Sequence, residues 1–184
     1  MLSLCVHFNP FCSRSEARVR EFEKRIFHSR CSAFSTPERM LSKRARSTEE
    51  LGQFLSENRE TLDANTFARG VRVLVRSLGS SFCCIPAEYA LLKLGSSSLP
   101  YLSKGVGSDD FSVRENSLFM LNKIITNSTA GDRPILVSVR LRLLGTLDFY
   151  TGTGERASNH SIEIEKIRKI IKIIEERLYH SSEA

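Results

Sequence analysis

Chemistry needs side chains of suitable type within reach of one another, and this chain offers few. Its histidines, His7, His28, His160 and His180, are scattered, and none sits beside a cysteine or carboxylate at metal-ligand spacing. The five cysteines contain no Cys-x-x-Cys, and adjacent Cys83 and Cys84 are poorly placed to bridge each other. With Cys5, Cys12 and Cys31 the count is odd, the usage expected of a reducing compartment. Asp109-Asp110 pairs two carboxylates, but inside a short polar turn, where capping a helix is their expected use. Gly152-x-Gly154 lacks the Gly-Lys that completes a phosphate loop, and no nucleophile-elbow sequence surrounds any serine. The sequence therefore predicts a non-enzyme: no catalytic residue, no metal, no cofactor and no small-molecule substrate.

The constellation with binding potential is cationic. Arg69, Arg72 and Arg76 recur at i, i+3 and i+7 on one predicted helical face, with no acid between Asp63 and Glu88, and Arg140 and Arg142 add charge further on. Such a stripe can hold phosphates. Aromatic residues do not interleave with it, so the stacking element of single-strand readers is missing.

Charge is unevenly spread. Of the 184 residues, the first 46 hold ten Lys/Arg against four acids, which is the whole formal net charge of +6; the rest is neutral. Basicity therefore says little about what the body binds. No apolar run approaches a membrane span.

Residues 1–46 read as a basic, largely unstructured leader or arm, and residues 47–184 as the folded domain. The apolar start is broken by His7, Asn9 and Pro10, unlike a secretory signal. Arginine and serine are plentiful, Val19, Phe22 and Ile26 share one helical face, and Arg30 to Pro37 reads as a cleavage neighbourhood. That suggests a mitochondrial transit peptide. Glu16, Glu21 and Glu23 keep a plain basic arm beside it, and Lys43 to Arg46 would serve a nuclear address; the location is thus expected to be mitochondrial, with cytoplasmic or nuclear as the alternative.

The body must present these residues on helices. Ser47 to Glu50 fits a capping box ahead of Leu51, Phe54 and Leu55. Asp63 can cap a helix carrying Phe67, Val71, Leu74, Val75 and Leu78, antiparallel to the first. Pro86 suits the first turn of a short helix that Gly95 ends. Leu99, Leu102 and Val106 form an apolar face; a turn at Gly107 to Asp110 follows; Val113, Ser117, Leu121 and Ile124 form the next. After Pro134 comes another helix, then a polar loop from Tyr150 to Asn159. A terminal helix places Ile164, Ile167, Ile170, Ile171, Ile174 and Leu178 on one face, either to cover the core or to dock a partner, with Glu165/Lys169 and Lys172/Glu176 at pairing distance.

The stretch from Gly95 to Ile124 resembles a HEAT repeat. The matching residues are Leu99-Pro100, Leu102, Val106, Asp109-Asp110, Val113-Arg114, Ser117, Leu121 and Ile124. The resemblance implies an all-α fold: a short right-handed stack of about three antiparallel helical hairpins, a HEAT/armadillo-like α-solenoid. It also implies that Asp109 and Arg114 link neighbouring repeats. Such a protein is expected to be a scaffold or assembly adaptor for a protein partner. An organellar RNA-binding protein using Arg69, Arg72, Arg76, Arg140 and Arg142 is the alternative. In the scaffold reading Ile164, Ile167, Ile171 and Ile174 mark a helix that can dock.

Overall fold

Thr36, Asp63 and Asp110 each turn a side-chain oxygen back onto the free N–H groups that open a helix. Thr36 Oγ1 accepts from Arg39 N–H at 3.4 Å, Asp63 Oδ1 from Asn65 and Thr66 at 3.0 and 2.9 Å, and Asp110 Oδ1 from Val113 at 3.1 Å. The computed structural model describes residues 10–28, 36–152 and 159–180. Its α-helices are α1 (Pro10–Phe27), α2 (Pro37–Glu57), α3 (Ala64–Ser77), α4 (Cys84–Leu94), α5 (Leu99–Gly105), α6 (Phe111–Thr126), α7 (Arg133–Thr151) and α8 (Ser161–His180). The protein is all-helical, with no strand among the described residues. None of its described helices is long and apolar enough to cross a membrane.

The first two helices, and the last two, fold back on each other. Phe22 of α1 lies 6.2 Å from Phe54 of α2 and Arg25 reaches Glu50, so these two run antiparallel. The same holds for α7 and α8, where Tyr150 meets His160 and Arg140 meets Glu175. α1 and α3 run parallel, as do α6 and α8. Glu23 of α1 reaches Arg69 of α3 and Phe27 reaches Arg76; Glu115 of α6 pairs with Lys166 of α8, and Arg177 donates to the Thr126 carbonyl. One row is thus α1, α3, α5, α7 and the other α2, α4, α6, α8, each helix touching the next in its row. A continuous apolar core lies between the rows, from Val19 to Ile174. Two close approaches set the spacing. A Cβ on Gly52 of α2 would collide with Ala90 of α4, and one on Gly105 of α5 with Ser117 of α6. Gly95, at φ +60°, ends α4 in a conformation that costs a side chain roughly 1 kcal/mol or more.

The expectation that residues 1–46 are largely unstructured fails wherever the structure describes them. α1 is helical because its Val19, Phe22 and Ile26 face buries against α2 and α3. α2 starts at Pro37 rather than Ser47. Thr36 caps it, Pro37 fixes the backbone of its first turn, and Ser47 is buried mid-helix. Glu50, assigned to the capping box, pairs instead with Arg46 and Arg25. Most of the expected cleavage neighbourhood, residues 30–35, lies outside the described residues, as do 153–158 of the polar loop.

Candidate functional site

α3 carries the arginine stripe, and α1 lies over part of it. Arg69 donates to Glu23 Oε2 through Nε at 3.1 Å and Nη2 at 2.9 Å, with Glu16 a further 4.0 Å neighbour. The Arg76 guanidinium stacks over the Phe27 ring at 4.3 Å. Arg72 is exposed. Arg72 and Arg76 line one side of an open recess of about 800 Å³, with Lys104 of α5 and the acids Asp109 and Asp110 on the other. The remaining expected cations do not join them. Arg140 donates twice to Glu175 at 2.8 and 2.6 Å, and Arg142 stands exposed on α7, which α5 separates from α3. The five arginines therefore do not form one phosphate track.

Arg114 has a largely buried guanidinium. Its Nη1 donates to the backbone carbonyls of Ser108 and Asp109 at 2.9 and 3.0 Å, closing the α5–α6 turn. Its Nε lies 3.5 Å from Glu163 of α8, and both side chains are largely buried. The link between helices thus runs to Glu163 rather than to the Asp109 carboxylate. Asp109 is exposed and contributes its carbonyl, while Asp110 does the capping. Glu163 also faces His160 Nδ1 at 3.4 Å, and the imidazole stacks on Tyr150 at 4.3 Å between centroids. Tyr150 donates its hydroxyl to the Val106 carbonyl at 2.9 Å. Burial pushes the Glu163 carboxyl up, but its own N–H, His160 and Arg114 outweigh that and hold it below its ordinary value. Burial raises the Tyr150 phenol. The cluster ties the α5–α6 turn, the end of α7 and the start of α8 into one joint.

The isoleucine face of α8 is turned inward. Ile164, Ile167, Ile171 and Ile174 are all buried against the core, which removes them from any docking surface. Packing against α6 and α7 explains it: the inner stripe is claimed before a partner can reach it. What α8 leaves open is a groove of about 730 Å³ along α6. Leu118, Phe119, Ile170 and Ile173 supply apolar surface there, and Lys166, Lys169, Lys172 and Glu176 supply charge. Phe119 is exposed, with Lys123 over its ring at 5.5 Å. The pairs expected along α8 form, Glu165–Lys169 at 2.7 Å and Lys172–Glu176 at 4.0 Å, on solvated surface.

Cys84 is the one expected thiol with a resolved chemistry. Burial first, then its contact with Glu88, pushes it up to about 12. It lies 3.2 Å from Glu88 Oε1 and accepts from Asn116 Nδ2 at 3.3 Å. Among the described residues no group of three His, Cys, Asp or Glu is placed to hold a metal ion. The side chains of Cys5, Cys12, Cys31, His7 and His180 lie outside the described residues. Sequence reasoning missed Glu163, His160 and Tyr150 as partners of Arg114. The acid lies 49 residues away, and no local spacing announces it. No family model, curated protein or solved structure matches this chain.

Proposed function

We propose that this chain is a non-enzymatic helical-repeat scaffold of HEAT/armadillo type, a short right-handed stack of antiparallel hairpins that holds a protein partner, and that it works in mitochondria. The alternation of antiparallel neighbours with parallel next-neighbours supports the stack, since each hairpin then buries its face only against the hairpins beside it. The observation that carries the binding role is the open α6–α8 groove. Its exposed Phe119 and the edge of Ile173 offer apolar surface between charged rims, the composition of a protein contact. Arg69 and Arg76 are already engaged by α1, which favours a protein over RNA as the occupant.

A pull-down that separates protein from RNA partners tests this, using wild type and a Phe119→Asp/Ile173→Asp variant. Capture of a discrete protein that the variant loses is the expected result. Salt-sensitive RNA binding that an Arg69/Arg72/Arg76→Glu variant abolishes, with helicity intact, would replace the scaffold with the RNA reading. For location, residues 1–46 fused to a reporter should carry it to mitochondria; a cytosolic or nuclear reporter would refute that part.

A further inference from the structure

α7 buries one face and leaves the other open. Leu136, Val139, Leu143 and Tyr150 point to the core. The opposite side carries Val137, Leu141, Gly145 and Phe149, one every four residues, which aligns them in a single row on a helix. Val137, Leu141 and Phe149 are exposed, the last two by more than half. A recess of about 590 Å³ lies beside the row, with Leu141, Gly145 and Phe149 on one side and Gly107 of the α5–α6 turn on the other. A contiguous apolar row of this kind marks a contact surface, unlike apolar residues exposed singly.

The centre of the row is bare without a reason inside the chain. Glycine in the middle of a helix is destabilising relative to alanine. Gly52 and Gly105 answer to neighbours that a Cβ would strike, but a Cβ on Gly145 would meet nothing among the described residues. Bare backbone on an outer face lets another backbone come close. The charges are arranged about the same point. Arg142 stands three residues before Gly145 and Asp148 three after, just as Leu141 stands four before and Phe149 four after. Arg142 and Asp148 are both exposed, and among the described residues neither has an ion-pair partner. Six residues put them about 9 Å apart along the axis, too far to pair on one helix. Reversing the helix about Gly145 exchanges Arg142 with Asp148 and Leu141 with Phe149. The face is therefore complementary to an antiparallel copy of itself.

We propose that this chain forms a two-fold symmetric dimer in which α7 packs antiparallel on α7 of a second copy, crossing at Gly145. At a shallow crossing angle of about 20°, Leu141 of each copy stands level with Phe149 of the other, and Arg142 with Asp148. Each pair is made twice, as a two-fold axis requires. The two Gly145 backbones meet at the axis, and each Phe149 ring faces the recess of the opposite copy. This inference goes beyond the protein-binding reading above, whose α6–α8 groove shares no residue with this face.

Sedimentation velocity of the full chain over a concentration series tests it, with helicity followed by circular dichroism. Wild type is expected to show a monomer–dimer equilibrium that Leu141→Asp weakens at least about tenfold. Arg142→Asp places two acids at the charged positions and Asp148→Arg places two bases, so each variant repels its own copy and should lose at least about tenfold. Mixed in equal amounts, the two should dimerise about as well as wild type, because both cross-contacts then join opposite charges. Gly145→Ala should move two readouts in opposite directions: the thermal midpoint of dilute monomer rises, and dimerisation weakens severalfold. A wild type that stays monomeric at every concentration overturns the proposal, even if its α7 face captures another protein. A dimer indifferent to Leu141→Asp or to Gly145→Ala overturns it as well. So does a mixture of the two charge variants that stays monomeric. Loss of helicity in both charge variants would make these residues part of the fold and overturn it too.

Discussion

The first and last described helices pack in different ways. At one end α1 lies on α2 and α3 through a small apolar strip and ion pairs whose members stay in water. At the other, α8 lies on α6 and α7 through a row of buried isoleucines, the partly exposed pairs Lys166–Glu115 and Arg140–Glu175, and an Arg114–Glu163 pair that is itself largely buried. The contacts have similar chemistry on paper: aliphatics, an aromatic, arginine on glutamate. Their surroundings separate them. An exposed ion pair contributes about 0–1 kcal/mol because water competes for both charges. Breaking one inside the protein strands a charge and several hydrogen-bonding groups, which costs more than the intact pair contributes. The same residue types thus meet water under α1 and are partly shielded from it under α8.

The largest expected effect is in α8. Ile174 is fully buried, and Ile174→Ala should lower the unfolding free energy of the whole chain by about 2–4 kcal/mol, read from urea denaturation. Amide exchange sharpens the comparison: the substitution should speed exchange throughout, whereas Phe22→Ala should speed it mainly in α1. Global acceleration by Phe22→Ala would make the two ends equivalent. Next comes Arg114→Ala, which leaves Glu163 and the Ser108 and Asp109 carbonyls without their donor. A loss of about 1–3 kcal/mol is expected; an unchanged midpoint would dismiss Arg114 as the linking residue.

A smaller effect appears with pH. Glu163 holds its proton less tightly folded than unfolded, so the unfolded chain protonates first on acidification. Its stabilising contribution is complete above the ordinary glutamate value of 4.5 and is lost as pH falls through the lower folded value. Glu163→Gln should flatten that acid limb in denaturation midpoints measured from neutral pH downward. Part of the limb should remain, because Asp132 is also held low, chiefly by the Ser96 hydroxyl and then by the Thr129 N–H. An unaltered limb would place the acid sensitivity elsewhere. Smallest of all, Arg69→Ala should cost at most about 0.5–1 kcal/mol, since Arg69 and Glu23 are both partly exposed; a larger loss would put the pair under α1 on a par with the buried pair under α8.

Local signals carried the middle of the chain from sequence to structure. Asp63 caps α3, Gly95 ends α4 with a positive φ, and the α5–α6 turn falls between Val106 and Asp110, because caps, glycine and apolar periodicity act within a few residues. The start of α2 was ambiguous at that range. Thr36-Pro37-Glu38 and Ser47-Thr48-Glu49-Glu50 are both acceptable openings, and only the burial of Ser47 and Thr48 decides between them. The apolar face of α1 was visible, but a face that buries in its own body and one that waits for another surface have the same periodicity. The inward turn of the α8 isoleucines was likewise open to either reading. The Arg114–Glu163–His160–Tyr150 joint had no signature at all, since its members meet only when three helix ends converge.

Cys84 sits between Glu88 of its own helix and Asn116 of α6. With its thiol pushed up to about 12, its thiolate is scarce at neutral pH. Alkylating reagents attack the thiolate, so this partly buried sulfur should react slowly while Glu88 and Asn116 hold it. Site-resolved mass spectrometry of iodoacetamide labelling would then report on the contact between α4 and α6, since losing it frees the sulfur to ionise.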